Sequence, residues 1–141
     1  MTARFLLDAN VLSESAKPAP DPRVVEKLDR FRAHLATASV AWHELLYGLE
    51  VMPPGGRRHM VERLAADVLS CIPILPYDRA AAAWHAKERA RLRAAGVAVP
   101  FADGQIAAIA RVNDLVLVTR NERDFRHFRD LEVERWHARR P

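Results

Sequence analysis

The stretch VPFADGQIAAIARVNDLVLVTRNERDF, residues 99–125, constrains this chain more than any other. Ile106, Ala107 and Ala110 fall on one face of a helix, and Asp103 projects from that face one turn earlier. A carboxylate on an inward face is costly unless something pairs with it. The helix is expected to stop near Asn113. LVLVT then reads as a buried strand, the pattern of a parallel sheet covered on both faces. Asp124 comes just past its carboxyl end, where open parallel sheets bind ligands. Two acids are therefore expected to face one crevice.

The rest of the chain supplies partners for this unit. ARFLLD, residues 3–8, reads as a strand ending on Asp8, and Asn10 can cap the helical turn after it. KPAPDP leads to a helix in which Asp21 caps and Pro22 takes the first position, with Val24, Val25, Leu28 and Phe31 inward. Residues 35–38 form a second short strand. Ser39 then opens a helix through Glu50 with a stripe of Ala41, Leu45, Leu49 and Met52, broadened by Trp42 and Leu46; Glu44 lies to one side of it, beside the space left by Gly48. PPGG breaks the chain. Arg57–Cys71 makes a helix with Met60, Leu64, Ala65, Val68 and Leu69 inward. Residues 72–76 give a proline-flanked edge strand. Asp78 caps a long helix through Ala95, which Gly96 terminates. Leu131–Glu134 is the last strand, and residues 137–141 read as a frayed basic tail.

Strands separated by helices specify a three-layer α/β/α domain over residues 1–141, around a parallel sheet of about five short strands with right-handed crossovers. At 141 residues the chain is long enough to build a real core. Its single cysteine suits a reducing cytoplasm. No apolar run reaches the ~18 residues of a membrane span. With 22 Lys and Arg against 18 Asp and Glu, the net charge is +4. A basic shell around an acidic centre suits a polyanionic substrate.

Asp8, Glu44, Asp103 and Asp124 each have an ordinary reading as a turn, cap or surface acid. All four nevertheless map to the carboxyl edge of the expected sheet. Two carboxylates ~4 Å apart repel by roughly 4 kcal/mol at an effective dielectric of ~20, so such a group calls for a cation. Oxygen-only ligands favour Mg²⁺, with Mn²⁺ as substitute, over zinc. The six histidines show no metal-ligand spacing and read as structural or surface residues. Lys87, Arg89, Arg91 and Arg93 read as a solvated helix face. Arg120, Arg123 and Arg126 flank Asp124 and suit contacts with the phosphates of such a substrate or with a partner's acids.

LLDANVLSE (6–14), SVAWHELLYG (39–48), PFADGQIAA (100–108) and TRNERDF (119–125) together resemble the PIN-domain ribonucleases. The likeness is greatest to VapC-type toxins of VapBC toxin–antitoxin pairs and their FitB-like branch. It runs from end to end of the chain, in the family's order. The resemblance implies metal ligation by Asp8, Glu44, Asp103 and Asp124, with Asp8 and Asp103 direct, and support from Thr119 and Asn121 through hydrogen bonds. It implies an Mg²⁺-dependent endoribonuclease leaving 5′-phosphate and 3′-hydroxyl ends. It also implies a cognate VapB-type antitoxin, a homodimer, and promoter DNA bound through the antitoxin. One departure is Ala9, where relatives often carry a small hydroxyl residue. Two alternatives stand beside this reading. One is a catalytically weak PIN-like module that binds operator DNA with its antitoxin; the other is a metal-dependent nuclease or phosphatase with a non-RNA substrate.

Overall fold

The computed structural model describes residues 2–139. The first strand, β1 (Phe5–Leu7), is buried along its whole length and sits at the centre of a five-stranded sheet. Beside it lie β2 (Leu35–Ala38) and β4 (Val116–Val118), with β3 (Ile74–Leu75) and β5 (Val133–Glu134) at the edges. The order is β3-β2-β1-β4-β5, and every pairing is parallel. Leu7 stands in register with Thr37 on one side and Val118 on the other. The three inner strands therefore finish at the same level, and the residues after them share one edge. Thr37 fastens that edge: its buried hydroxyl donates to the Leu7 carbonyl at 2.7 Å.

Among the described residues, six α-helices cover the sheet: α1 (Ala9–Leu12), α2 (Pro22–Arg30), α3 (Ser39–Glu50), α4 (Gly56–Cys71), α5 (Arg79–Ala94) and α6 (Phe101–Val112). Local chemistry sets several of their ends. Asp21 accepts from the Arg23 amide at 2.9 Å with Pro22 behind it, and Asp78 accepts from the Ala81 amide at 2.9 Å. Gly96 adopts φ +75°, which a glycine reaches without strain, and closes α5. Helix α6 is the most deeply set, with Gly104 and Ile106–Ala110 all buried. This continuous apolar run anchors it against the sheet and α5.

Several local expectations need correction. Asp8, not Asn10, caps α1, because the chain turns into helix immediately after β1. Helix α3 begins at Ser39 with no side-chain capping bond. In α4, Met60 and Leu69 are 48% and 65% exposed while Val61 is buried, so the inward face is rotated relative to the one expected. Val25 also lies at the surface. The edge strands are shorter than expected, β3 and β5 having two residues each.

The C-terminal segment is not frayed through residue 139. Trp136 is buried against Phe5 and Phe31, and His137 is buried against Glu14, donating Nε2–H to its carboxylate at 2.8 Å. The Ala138 amide donates to Asp21 at 2.8 Å, and Arg139 pairs with Glu122 at 3.1 Å. Glu14, which also binds Lys17 at 3.0 Å, is the buried hub. Burial alone would raise its pKa, but the bonds from Lys17 and His137 and from the Asp21 amide outweigh burial and hold it low. Arg140 and Pro141, the rest of the expected tail, lie outside the described residues.

Candidate metal centre

Asp8 leaves β1 and enters α1 in a single step, and the residue is only 8% exposed. Both of its oxygens are held. Oδ1 accepts from the Ala9 amide at 2.8 Å, and Oδ2 accepts from the Thr119 hydroxyl at 2.9 Å. Thr119 is fully buried at the end of β4, and its own oxygen accepts from the Asn121 amide at 3.1 Å. A relay of hydrogen bonds thus runs from the loop after β4 to the acid after β1. Asn121 enters it through its main chain. Ala9 likewise needs no side chain, since it serves through its amide. A second tie joins the same segments, because the Arg120 amide donates to Asn10 Oδ1 at 3.2 Å.

Glu44 rises from the second turn of α3, on an exposed position. Asp103 lies in the first turn of α6 and is half-buried, while Asp124 sits in the 3₁₀ turn Glu122–Phe125 beyond β4 and is exposed. These side chains feel one another's charge. Burial, then the fields of Asp124 and Asp8, push the Asp103 carboxyl up to about 6. Partial desolvation, then Asp8 and Asp103, raise Glu44. Burial raises Asp8 most, the bonds from Thr119 and Ala9 oppose it, and Asp124 adds to the rise. Four acids from distant parts of the chain therefore form one repulsive group at the carboxyl edge of the sheet. Among the described residues, no three His, Cys, Asp or Glu side chains are drawn together tightly enough to hold a metal as they stand. The donors are nonetheless all carboxylate oxygens, the set that hard divalent cations prefer.

Beyond Asp124 the edge opens into a cleft of about 510 Å³, lined by Arg120, Asn121, Glu122, Arg123, Asp124, Arg135 and Arg139. Arg126 is not among its walls; its Nε donates to His127 at 3.4 Å.

The family model described as the PIN domain matches residues 5–131. This chain belongs to the PIN-domain family. It is 35% identical over 127 residues to the toxin FitB of Neisseria gonorrhoeae, covering 86% of this chain and 90% of that one. It is 34% identical over 136 residues to the tRNA(fMet)-specific endonuclease VapC of Shigella flexneri, covering 94% and 98% respectively. Among solved structures, FitAB bound to a DNA fragment superposes with a TM-score of 0.84 at 30% identity, covering 96% of this chain and 98% of that one. DNA-bound VapBC from Salmonella typhimurium gives 0.82 at 28% identity, over 95% and 98%.

Two supports of this PIN domain escaped sequence reasoning. His85 is buried in α5; its Nδ1 shares a 2.8 Å hydrogen bond with the Tyr77 hydroxyl, and its ring lies against Gly104. A Cβ on Gly104 would collide with His85 Nε2, so only glycine lets the imidazole seat against the turn that carries Asp103. Burial, and secondarily the Arg89 charge, lower the His85 pKa, which favours the neutral ring. The signal available in the sequence was a glycine inside a helix, which needs a packing reason. The second support is the C-terminal segment itself, which contributes Arg135 and Arg139 to the cleft.

Proposed function

We propose that this PIN domain is a metal-dependent endoribonuclease, the toxin of a type II toxin–antitoxin pair. It uses Mg²⁺, or Mn²⁺ in its place, in the four-carboxylate cup. The observation that carries the reading is the buried Asp8 carboxylate, held by the Ala9 amide and the Thr119 hydroxyl at the sheet's carboxyl edge, beside an Asp103 carboxyl raised by burial and by Asp124 and Asp8. A group that resists its own ionisation is matched by a hard divalent cation, and the donor chemistry fits one. Asp8 and Asp103 would hold it directly, completed by Glu44 and Asp124. When bound, such an ion lowers the pKa of water and neutralises charge on a phosphodiester.

The chain's own contribution is placement. The Ala9 amide and Thr119 hydroxyl fix the orientation of Asp8 before any ligand arrives, and the Asn121 amide fixes Thr119. The seating of His85 on Gly104 sets the turn from which Asp103 projects. Arg120 and Arg123 beside Asp124 counter the charge of an incoming phosphate, and exposed Arg126 adds positive charge outside the cleft. The chain acts in the cytoplasm as a homodimer. A cognate VapB-type antitoxin blocks the cup and carries the complex to promoter DNA.

One observation favours a rival. The acids do not stand as a ready-formed metal site, which suits a catalytically weak module acting with its antitoxin at operator DNA. A cleavage assay on RNA with Mg²⁺ or Mn²⁺ separates the two. Wild type cuts, while Asp8→Asn and Asp103→Asn lose at least about a hundredfold in rate, roughly 2.7 kcal/mol of barrier. Equal cutting by all three proteins, or none by wild type, overturns the nuclease reading.

A further inference from the structure

The cleft beyond Asp124 draws on two separate parts of the chain. Arg120 and Arg123 come from the loop and 3₁₀ turn after β4, and Arg135 and Arg139 from the segment after β5. Arg135 is fixed in place. Its Nη1 donates to the Arg120 carbonyl at 2.5 Å and its Nη2 to the Ala138 carbonyl at 3.2 Å, so the guanidinium clips the two walls together. The C-terminal wall is in turn held by buried Trp136, by His137 on Glu14, and by the Ala138 amide on Asp21. Arg139 is 78% exposed and reaches Glu122 at 3.1 Å, which positions it without withdrawing it from solvent. Four guanidinium groups thus face two carboxylates, those of Glu122 and Asp124, in a space of about 510 Å³.

We propose that this cleft holds the RNA backbone next to the cut, with Arg123 and Arg139 binding phosphates and Arg135 acting as the positioning residue that sets the walls. The inference rests on the nuclease reading for the identity of its occupant. A phosphodiester chain that lies across the carboxylate cup and runs past Asp124 enters this arginine-lined cleft. Guanidinium groups bind phosphates in a fork, two donors to two oxygens, and tolerate any base sequence. The cleft therefore contributes affinity and register, and the choice of RNA is made elsewhere. An acidic peptide is the competing occupant, and antitoxin binding by the same variants distinguishes it.

The experiment uses full-length Asp8→Asn protein, so that RNA stays intact, and a mixed-sequence single-stranded oligoribonucleotide. Binding is followed by fluorescence anisotropy between about 50 and 200 mM salt. Arg123→Gln and Arg139→Gln are each expected to lower the slope of log affinity against log salt by about 0.7, the value for one phosphate contact on a single strand. Affinity falls severalfold in each. Glu122→Gln, which frees Arg139, strengthens binding. Arg63→Gln, an exposed arginine of α4 outside the cleft, keeps the slope of its parent. Because Arg123 and Arg139 are exposed, these variants fold, and an unchanged melting temperature confirms it. Unchanged slopes in both variants overturn the assignment. So does loss of antitoxin binding in both with the RNA slope intact, which would give the cleft to a protein partner. If wild type cuts no RNA with any metal yet the slopes fall, the cleft is an RNA-phosphate site without a cut beside it, and the nuclease reading fails. If wild type cuts and the slopes do not fall, the cleft assignment fails alone.

Discussion

Asp103 shows what a carboxylate held at this edge costs the fold. Its carboxyl sits at about 6 in the fold, against an ordinary 3.8. Between about pH 4 and pH 6 the folded protein therefore holds a proton at Asp103 that the unfolded chain has released, and this residue's contribution to the stability of the metal-free protein falls as pH rises through that window. Above that window the penalty is fully present. Asp103→Asn removes it, so the metal-free variant is expected to be more stable than wild type at pH 7. The margin is on the order of 1–2 kcal/mol once solvent screening of this half-buried group is allowed for. Denaturant unfolding at pH 7 and at pH 4 checks this: the difference shrinks at the lower pH, and a variant less stable than wild type at pH 7 contradicts it. The same residue was legible in the sequence, because an acid on the inward face of an apolar helix has few innocuous explanations. Asn121 was legible only as a motif position. Its main-chain role depends on a turn that no residue type announces.

At the scale of elements, the junction of α5 and α6 sets the cup. Helix α6 was readable from its apolar periodicity and α5 from its cap and its terminal glycine. Their contact was not, because His85 and Gly104 lie 19 positions apart and neither carries a pattern pointing to the other. Gly104→Ala puts a methyl group into a buried imidazole already tied to Tyr77. We expect a loss of about 1–3 kcal/mol in stability from this overpacking. RNA cleavage should drop by more than the residual folded fraction explains, because the turn bearing Asp103 is displaced. Thermal melting and a rate assay below the melting transition measure the two effects separately; wild-type values for both would show that the turn is not set by this contact. The C-terminal segment is the counterpart failure. Its short run of basic residues resembles a solvated tail, and only the distant Glu14 and Asp21 turn it into a packed wall.

For the whole molecule, parallel register does the gathering. Residues 8, 44, 103 and 124 are far apart in the chain, and they are brought to one edge because β1, β2 and β4 end at one level and α6 packs beside them. The alternation of strands and helices made the architecture and this edge readable in advance. The arginines of the opposing wall were not, since β5 is only two residues long and the segment after it has no periodicity. The cup is thus a property of topology, and its charge makes the central claim measurable. Calorimetric titration of Mn²⁺ into metal-free wild type at pH 7 is the most direct measurement. One saturable binding process is expected, and either Asp8→Asn or Asp103→Asn should weaken it by at least about tenfold, roughly 1.4 kcal/mol. Saturable binding of equal strength in wild type and both variants, or no binding to wild type, would contradict the account.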